Sequence, residues 1–359
     1  MRTYIFVRNK KYRPSTYYRI YQYIDESIEV NCKIIEYESN LFYEVKAKNR
    51  IINLIYLILF SFIPGYFRRI IALLKISTVN APYKVFVQRE CFPRTITPLG
   101  KLLLGRAIRR ADKVYWDFDD NIFDAKEISK FEGKLLNEYA DLVIVGNRFL
   151  ESKVKENKNI LVLNTTDKMM ENIHLENINE ERKRKFNDEL ILVWVGTKSN
   201  LIFLEQIIIE LDKAAMKIPN KKVILRVISD RELGVKTKYL IVDNIKWSRS
   251  LAFSEMLKSH IGIMPLSENK LTLGKCAFKA VQAIGCGLPV IVSNVGMNKD
   301  VVTKGNGILI NTKTEWVDAI VSLGSEVDIW EGYSIRSREL WLENFNSKKI
   351  QKYILNKLF

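Results

Sequence analysis

Two lysines set four residues apart, Lys275 and Lys279, stand out in the stretch HIGIMPLSENKLTLGKCAFKAVQAIGCGLPVIVSNV, which runs from His260 to Val295. Ile261 to Leu266 reads as a short strand feeding a polar loop that contains Glu268. From Gly274 the pattern predicts a helix, with Ala277, Ala280, Val281, Ile284 and Gly285 on one face and Lys275, Lys279 and Gln282 on the other. Gly285, Gly287 and Pro289 stop it, and Val290-Ile291-Val292 begins a buried strand. In a parallel sheet such a unit puts the loop after its first strand and the start of its helix on one edge, where open α/β sheets hold ligands. Unsatisfied backbone N–H groups, partial positive charge and two lysines there suit a diphosphate, and Gln282 suits hydroxyls further along the same ligand. The same residues also suit the solvated face of a core helix.

Other chemistry-bearing residues lie at the ends of predicted strands. Leu190 to Val195 leads into Gly196-Thr197-Lys198-Ser199, too short for a nucleoside-triphosphatase loop but offering N–H groups, Thr197 and Lys198 to a phosphate. Trp247, after Ile245-Lys246, is placed either to stack on a nucleotide base or to fill core. Lys113 to Phe118 ends in Asp119-Asp120, so Asp117-Phe118-Asp119-Asp120 permits a divalent-metal site against a diphosphate; one of its carboxylates also suits a helix cap. Val85-Phe86-Val87 ends in Gln88-Arg89-Glu90.

The elements that must carry these residues are strands and helices of an α/β chain of 359 residues, long enough for two domains. Tyr4 to Val7 opens the first, followed by a basic loop, Ser15 as a helix N-cap, and Arg19 on a helix with Tyr18, Ile20, Tyr21 and Ile24. Arg19 is either a phosphate or acceptor contact or part of a solvated basic face. Lys168 to Leu190 lacks apolar periodicity and reads as a linker. Four scattered cysteines and two histidines support neither zinc nor a disulfide framework, and the N-terminus lacks the apolar core of a signal peptide, so a cytoplasmic location is expected.

The 57 basic and 41 acidic residues leave a net charge of +16, which calls for an anionic partner: nucleic acid, a phosphate-bearing substrate or an anionic membrane. No nucleic-acid module is present in the sequence. Ile51 to Ile63 is nearly all apolar, flanked by Lys46, Lys48 and Arg50 and broken by Pro64-Gly65. It falls short of the ~20 residues that cross a bilayer, and fits either an interfacial helix or a buried one. Arg94 to Lys113 reads as a basic amphipathic helix.

GIMPL followed by GKCAFKAVQAIGCGLPVIVSNVGMNKDVV resembles the donor-sugar site of bacterial family 4 glycosyltransferases. The resemblance implies the GT-B architecture, two Rossmann-like domains facing across a cleft. It places an acceptor-side domain over 1–166, a linker over 167–189, a nucleotide-sugar domain over 190–340 and a segment 341–359 returning to the first domain. The commoner family pattern has two glutamates where this chain has Gly274 and Gln282, and a branch that assembles surface polysaccharides shares Gly-Lys-Cys, Lys and Gln. The activity so implied is retaining transfer from a nucleoside-diphosphate sugar, UDP- or GDP-linked, with no metal or other cofactor. Lys275 and Lys279 would stabilise the leaving diphosphate. Gly196, Thr197, Lys198, Trp247, Glu268, Gly274 and Gln282 would line the donor. Asp119 and Asp120 would lie near the acceptor hydroxyl, with Arg19, Gln88, Arg89 and Glu90 on the acceptor side. A lipid-linked saccharide acceptor at the inner face of the plasma membrane completes the expectation. Its alternatives are a metal-dependent transferase using Asp117 to Asp120 and a silent nucleotide-fold protein.

Overall fold

The structure, a computed structural model, describes residues 1–40, 43, 49–154, 159–303 and 305–358. The chain divides into two compact units, Met1–Thr165 joined by the segment from Lys348, and Thr166–Ser347. Each is built on a six-stranded parallel sheet.

The first sheet comprises β1 (Arg2–Val7), β2 (Cys32–Glu36), β3 (Tyr83–Gln88), β4 (Lys113–Phe118), β5 (Leu142–Val145) and β6 (Ile160–Val162), in the order β2-β1-β3-β4-β5-β6. Its central strands are apolar on both faces, as a sheet covered on both sides requires. Strand β2 is the one the sequence pattern does not announce, because it is an edge strand with Lys33 and Glu36 among its five residues and only Cys32 and Ile35 buried. The second sheet comprises β7 (Glu189–Val195), β8 (Lys222–Ser229), β9 (Ile241–Lys246), β10 (Ile261–Met264), β11 (Val290–Ser293) and β12 (Gly307–Ile310), in the order β9-β8-β7-β10-β11-β12. Strand order reverses between β1 and β3 in one sheet and between β7 and β10 in the other. A reversal opens a crevice at the carboxyl ends of the two strands, the place where such sheets bind ligands.

Two helical stretches differ from the sequence reading. The expected linker contains a helix, Leu175–Phe186. Its anchorage is polar, hence the missing apolar period: Arg182 donates to the carbonyls of Leu257 at 2.9 Å and Cys286 at 3.0 Å, and Asn179 donates to Ser334 at 3.0 Å. Pro64 does not break the apolar stretch either. Helix Arg50–Leu57 passes through a π-helical turn, Ile58–Phe62, into helix Ile63–Ser77, and the wider turn accommodates the proline ring and its missing N–H. Gly65 permits the close passage beneath, since a Cβ there would lie 2.3 Å from the Tyr37 carbonyl oxygen. Ile51–Ser77 is therefore 27 helical residues, enough by length and composition to cross a bilayer. Lys46 and Lys48 of its basic flank lie outside the described residues.

Arg69, on this helix, is wholly buried and donates to the carbonyls of Ile35 at 2.7 Å and Val7 at 2.6 Å. It ties the helix to the first sheet. The neighbouring helix, Pro98–Arg110, runs alongside: Tyr66 meets Thr97 at one end and Arg110 donates to the Ser77 carbonyl at 2.8 Å at the other. Beyond the second sheet, helix Val327–Asn344 buries Trp330 and Trp341, and helix Ser347–Leu358 places Ile350 and Ile354 in the core of the first unit with Ile5, Ile20, Tyr23 and Phe86.

Candidate functional site

At the β7–β10 reversal the loop after β7 carries Gly196, Thr197 and Lys198. Gly196 answers to packing, because a Cβ would sit 2.4 Å from the Trp194 ring. The turn is held by its own polar groups: the Lys198 N–H donates to Asp230 Oδ1 at 2.7 Å, and Asn200 Nδ2 to Thr197 Oγ1 at 3.1 Å. Ser267, in the loop after β10, donates to Gln206 at 2.7 Å, which ties that loop to the end of helix Leu201–Glu205 beyond the first loop. Glu268 is exposed beside it, and Trp247, at the end of β9, is half-buried.

The helix bearing the lysines starts later than its apolar pattern predicts. Asn269 and Thr272 form a capping box for a separate turn, Lys270–Leu273, which ends at Gly274. Ala277, at φ +47°, then bends the chain through the left-handed region before helix Phe278–Gly285. Lys275 thus precedes the helix and Lys279 is its second residue, so the two are not one turn apart on a single helix. They still share a site. Lys275 Nζ donates to Asn200 Oδ1 at 3.2 Å and Lys279 Nζ to Gln282 Oε1 at 3.1 Å. Burial above all pushes the Lys279 ammonium down to about 8; Asp167 opposes that and Lys275 adds to it. Gln282, expected to meet ligand hydroxyls, is 4% exposed and has both ends of its amide engaged, its Nε2 donating to Asp167 Oδ2 at 2.8 Å.

The β1–β3 reversal carries a denser set of charges. Arg8, after β1, is ion-paired with Glu90 and lies 3.1 Å from Glu127. Arg89, held at φ +67° with its carbonyl accepting from Trp116 Nε1 at 2.8 Å, reaches Asp120 at 2.7 Å, Asp119 at 3.4 Å and Glu127. Burial alone would lower the Arg89 pKa, but the charges of Asp120, Glu127, Asp119 and Glu90 raise it well above its ordinary value. Ser15 does not cap its helix, which begins at Pro14; its hydroxyl donates to Asp119 and accepts from Gln88 Nε2 at 2.8 Å. Glu90 is fully buried.

Arg19, expected at the acceptor, is instead 4% exposed and grips Asp117 through Nε at 3.1 Å and Nη2, with Thr165 Oγ1 at 3.3 Å. Asp117 is thereby committed inside the unit, while Asp119 and Asp120 pair with Arg89. Among the described residues no three His, Cys, Asp or Glu side chains are grouped to hold a metal ion. Arg8, Glu127, Asn200, Asp230 and Asp167 enter these sites without a motif to mark them.

Residues 189–326 match the family model described as Glycosyl transferases group 1. No curated protein sequence matches the chain. Among solved structures, Anabaena HepE, determined in complex with UDP, aligns with a TM-score of 0.65 at 12% identity over 100% of this chain and 99% of its own. A glycosyltransferase from Rickettsia africae aligns at 0.61 and 14% identity over 99% of each chain. Sucrose-phosphate synthase from Thermosynechococcus elongatus aligns at 0.60 and 15%, over 98% of this chain and 87% of its own. At these identities the likeness is one of fold, and the activity rests on the family match. The chain is thus a glycosyltransferase of GT-B fold whose second unit carries a glycosyl transferase group 1 domain.

Proposed function

We propose that the chain transfers a sugar, with retention of configuration, from a nucleoside-diphosphate sugar to a saccharide carried on a polyprenyl diphosphate, in the assembly of capsule, O-antigen or exopolysaccharide. The observation that carries the donor half is the placement of Lys275 and Lys279 beside the Thr197–Asn200 turn, at the reversal between β7 and β10. Positive groups held there stabilise charge as it develops on a departing diphosphate, which is where such stabilisation accelerates transfer. In a retaining reaction that diphosphate can itself receive the acceptor proton, so no side-chain nucleophile is needed. HepE, solved with UDP and with UDP-glucose, favours a uridine donor. Asp120, whose side chain is 49% exposed, is the carboxylate of the first unit placed to orient an acceptor hydroxyl.

Purified protein offered UDP- and GDP-sugars with a polyprenyl-diphosphate saccharide should yield one product one sugar heavier by mass spectrometry. Absence of product across the panel would favour a silent nucleotide-fold protein, a reading to which Gly274, lacking a side chain, lends some support.

The proposed cellular site is the inner face of the plasma membrane. Ile51, Ile55, Leu59, Ile63, Phe67 and Ile71 recur every four residues along the long helix and are each at least 41% exposed. Leu99 and Leu102 extend the surface onto the adjacent helix, with Lys75, Lys101, Arg106 and Arg109 exposed around it. Glu90, which is buried, is the lone acidic residue from 49 to 111. An apolar stripe with a wholly cationic rim fits an anionic leaflet, each cation contributing about 1 kcal/mol. Lying flat fits better than spanning: Arg69 holds the second half to the sheet, and the remaining 13 residues, 51–63, reach only about 20 Å against a ~30 Å core. The protein should sediment with anionic vesicles and be released by salt, and Lys75→Ser, Lys101→Ser, Arg106→Ser together should weaken that binding. Equal binding to neutral vesicles, or self-association through the stripe, would overturn the membrane reading.

A further inference from the structure

We propose that Asp167 is the positioning residue for the Lys279 side chain, acting through the amide of Gln282. The inference rests on the donor-site reading only in taking Lys279 as the cation that meets the diphosphate; the contact chain itself lies wholly within the second unit. Asp167 is 2% exposed and uses both carboxylate oxygens, Oδ1 accepting from the Met169 N–H at 3.0 Å and Oδ2 from Gln282 Nε2 at 2.8 Å. Gln282 then has one orientation available. Turning its amide over would set an oxygen against the carboxylate and an NH2 group against an ammonium, two repulsive contacts in place of two hydrogen bonds. Asp167 therefore decides that the oxygen of Gln282 faces Lys279 Nζ, which it accepts at 3.1 Å.

The charges around this chain make the arrangement functional as well as structural. Lys279 feels the charges of Asp167 and Lys275, and Asp167 those of Lys279 and Arg249, the latter opening helix Arg249–Leu257. The Cys286 thiol, at the end of the lysine's helix, also feels Asp167 and is pushed up to about 12, chiefly by burial, so it stays protonated. An ammonium near 8 is mostly charged at pH 7 and mostly neutral at pH 9. Among the described residues Asp167 is the anion that holds it in the charged form before an anionic ligand arrives. Removing that anion should move the titration of Lys279 to lower pH; an incoming diphosphate should move it higher.

Two measurements test this. In protein carrying 13C-methylated lysines, the Lys279 resonance should titrate at least one pH unit lower in Asp167→Asn than in wild type. Gln282→Met, which removes the bridge and keeps the volume, should give a smaller shift the same way. Binding of UDP and of GDP by calorimetry should weaken about fivefold at pH 8 in Asp167→Asn, because a one-unit shift cuts the charged fraction there from about a half to about a tenth, and largely recover at pH 6.5. A defect of folding would weaken binding at both. Gln282→Glu should restore the lysine titration and the binding when combined with Asp167→Asn, yet on its own leave the titration no lower than in wild type and weaken binding, since it adds a second carboxylate at the site. An unchanged Lys279 titration in Asp167→Asn, or additive losses in the double variant, would overturn the inference. Failure of wild type to bind either nucleotide would strike the donor-site reading and leave the titration to judge this one.

Discussion

The two sheets reverse strand order in the same way and treat charge at that reversal differently. At the β1–β3 reversal arginines meet carboxylates: Arg8 with Glu90, Arg89 with Asp119, Asp120 and Glu127, and Arg13 with Glu38, with Arg19–Asp117 just behind. At the β7–β10 reversal Lys275 donates to the amide oxygen of Asn200 and Lys279 to that of Gln282, with Asp167 one residue further off and Asp230 holding the Lys198 N–H. The first edge is electrostatically complete before anything binds, so its geometry is set by the fold. The second rests the Lys279 ammonium on an amide oxygen instead of a carboxylate, a setting suited to capturing and stabilising an anion. Arginine suits the first task, with its rigid fork matched to carboxylates, and lysine the second, with a compact charge whose protonation responds to surroundings.

The sharpest break of this contrast is Arg19→Ala, which strands Asp117 as a buried unpaired carboxylate. It should cost about 3–5 kcal/mol in a urea titration of the first unit, the range for halving a buried pair. A stable Arg19→Ala protein with impaired acceptor use would show that this edge binds ligand after all. Next is Lys279→Ala, expected to lower turnover roughly 10²- to 10³-fold with stability little changed. Full activity would leave its helix with a structural role alone.

Acid should separate the units. His260, buried in the second, accepts the Ile191 N–H at 2.9 Å on Nδ1 and faces the Arg182 carbonyl at 3.1 Å; burial lowers its pKa to about 4. Because the unfolded chain takes up this proton near 6.5 and the folded one only near 4, stability is fully present above 6.5 and declines as pH falls between them, by about 3 kcal/mol. In the first unit burial alone would raise Glu38 and Glu127, but Arg13 and Arg8 lower both, with Tyr43 adding to this at Glu38 and Arg89 at Glu127, so their contribution is lost only below about 4.5. The second unit should therefore unfold at higher pH than the first; simultaneous loss, or no change in His260→Gln, would contradict the assignment. The smallest expected effect is that of EDTA, which should leave turnover unaltered; loss of activity restored by Mn²⁺ would return the donor to Asp119 and Asp120.

Much of this was legible without coordinates. Uninterrupted apolar runs such as Leu190 to Val195 mark buried parallel strands, and glycine and proline after Ile284 mark a helix stop. What escaped is what apolar periodicity cannot carry. Helix Leu175–Phe186 is anchored by Arg182 and Asn179, the edge strand β2 is half polar, and the capping box at Asn269 with the left-handed Ala277 moved a helix start by four residues. Candidate residues were found by type and spacing, whereas their engagement was not: Arg19 and Gln282 have the chemistry of ligand contacts, and tertiary partners already occupy both. Asp167 was visible only as part of a domain crossing, since nothing in Asn164-Thr165-Thr166-Asp167 points to Gln282, 115 residues away.

The helix Ser347–Leu358 has a consequence for how the chain comes to be made. Ile350 and Ile354 belong to the same apolar cluster as Ile5 and Phe86, so the first unit's core is closed by residues translated after the whole of the second. During synthesis at about 5–20 residues per second, the second unit has all its strands before the first has all its core, an inversion of the usual N-terminal-first order. For roughly 10–35 s on that scale, the time needed to add Thr166–Ser347, the emerging chain carries an open apolar seam beside β1 and β3, a site for chaperone capture at the ribosome.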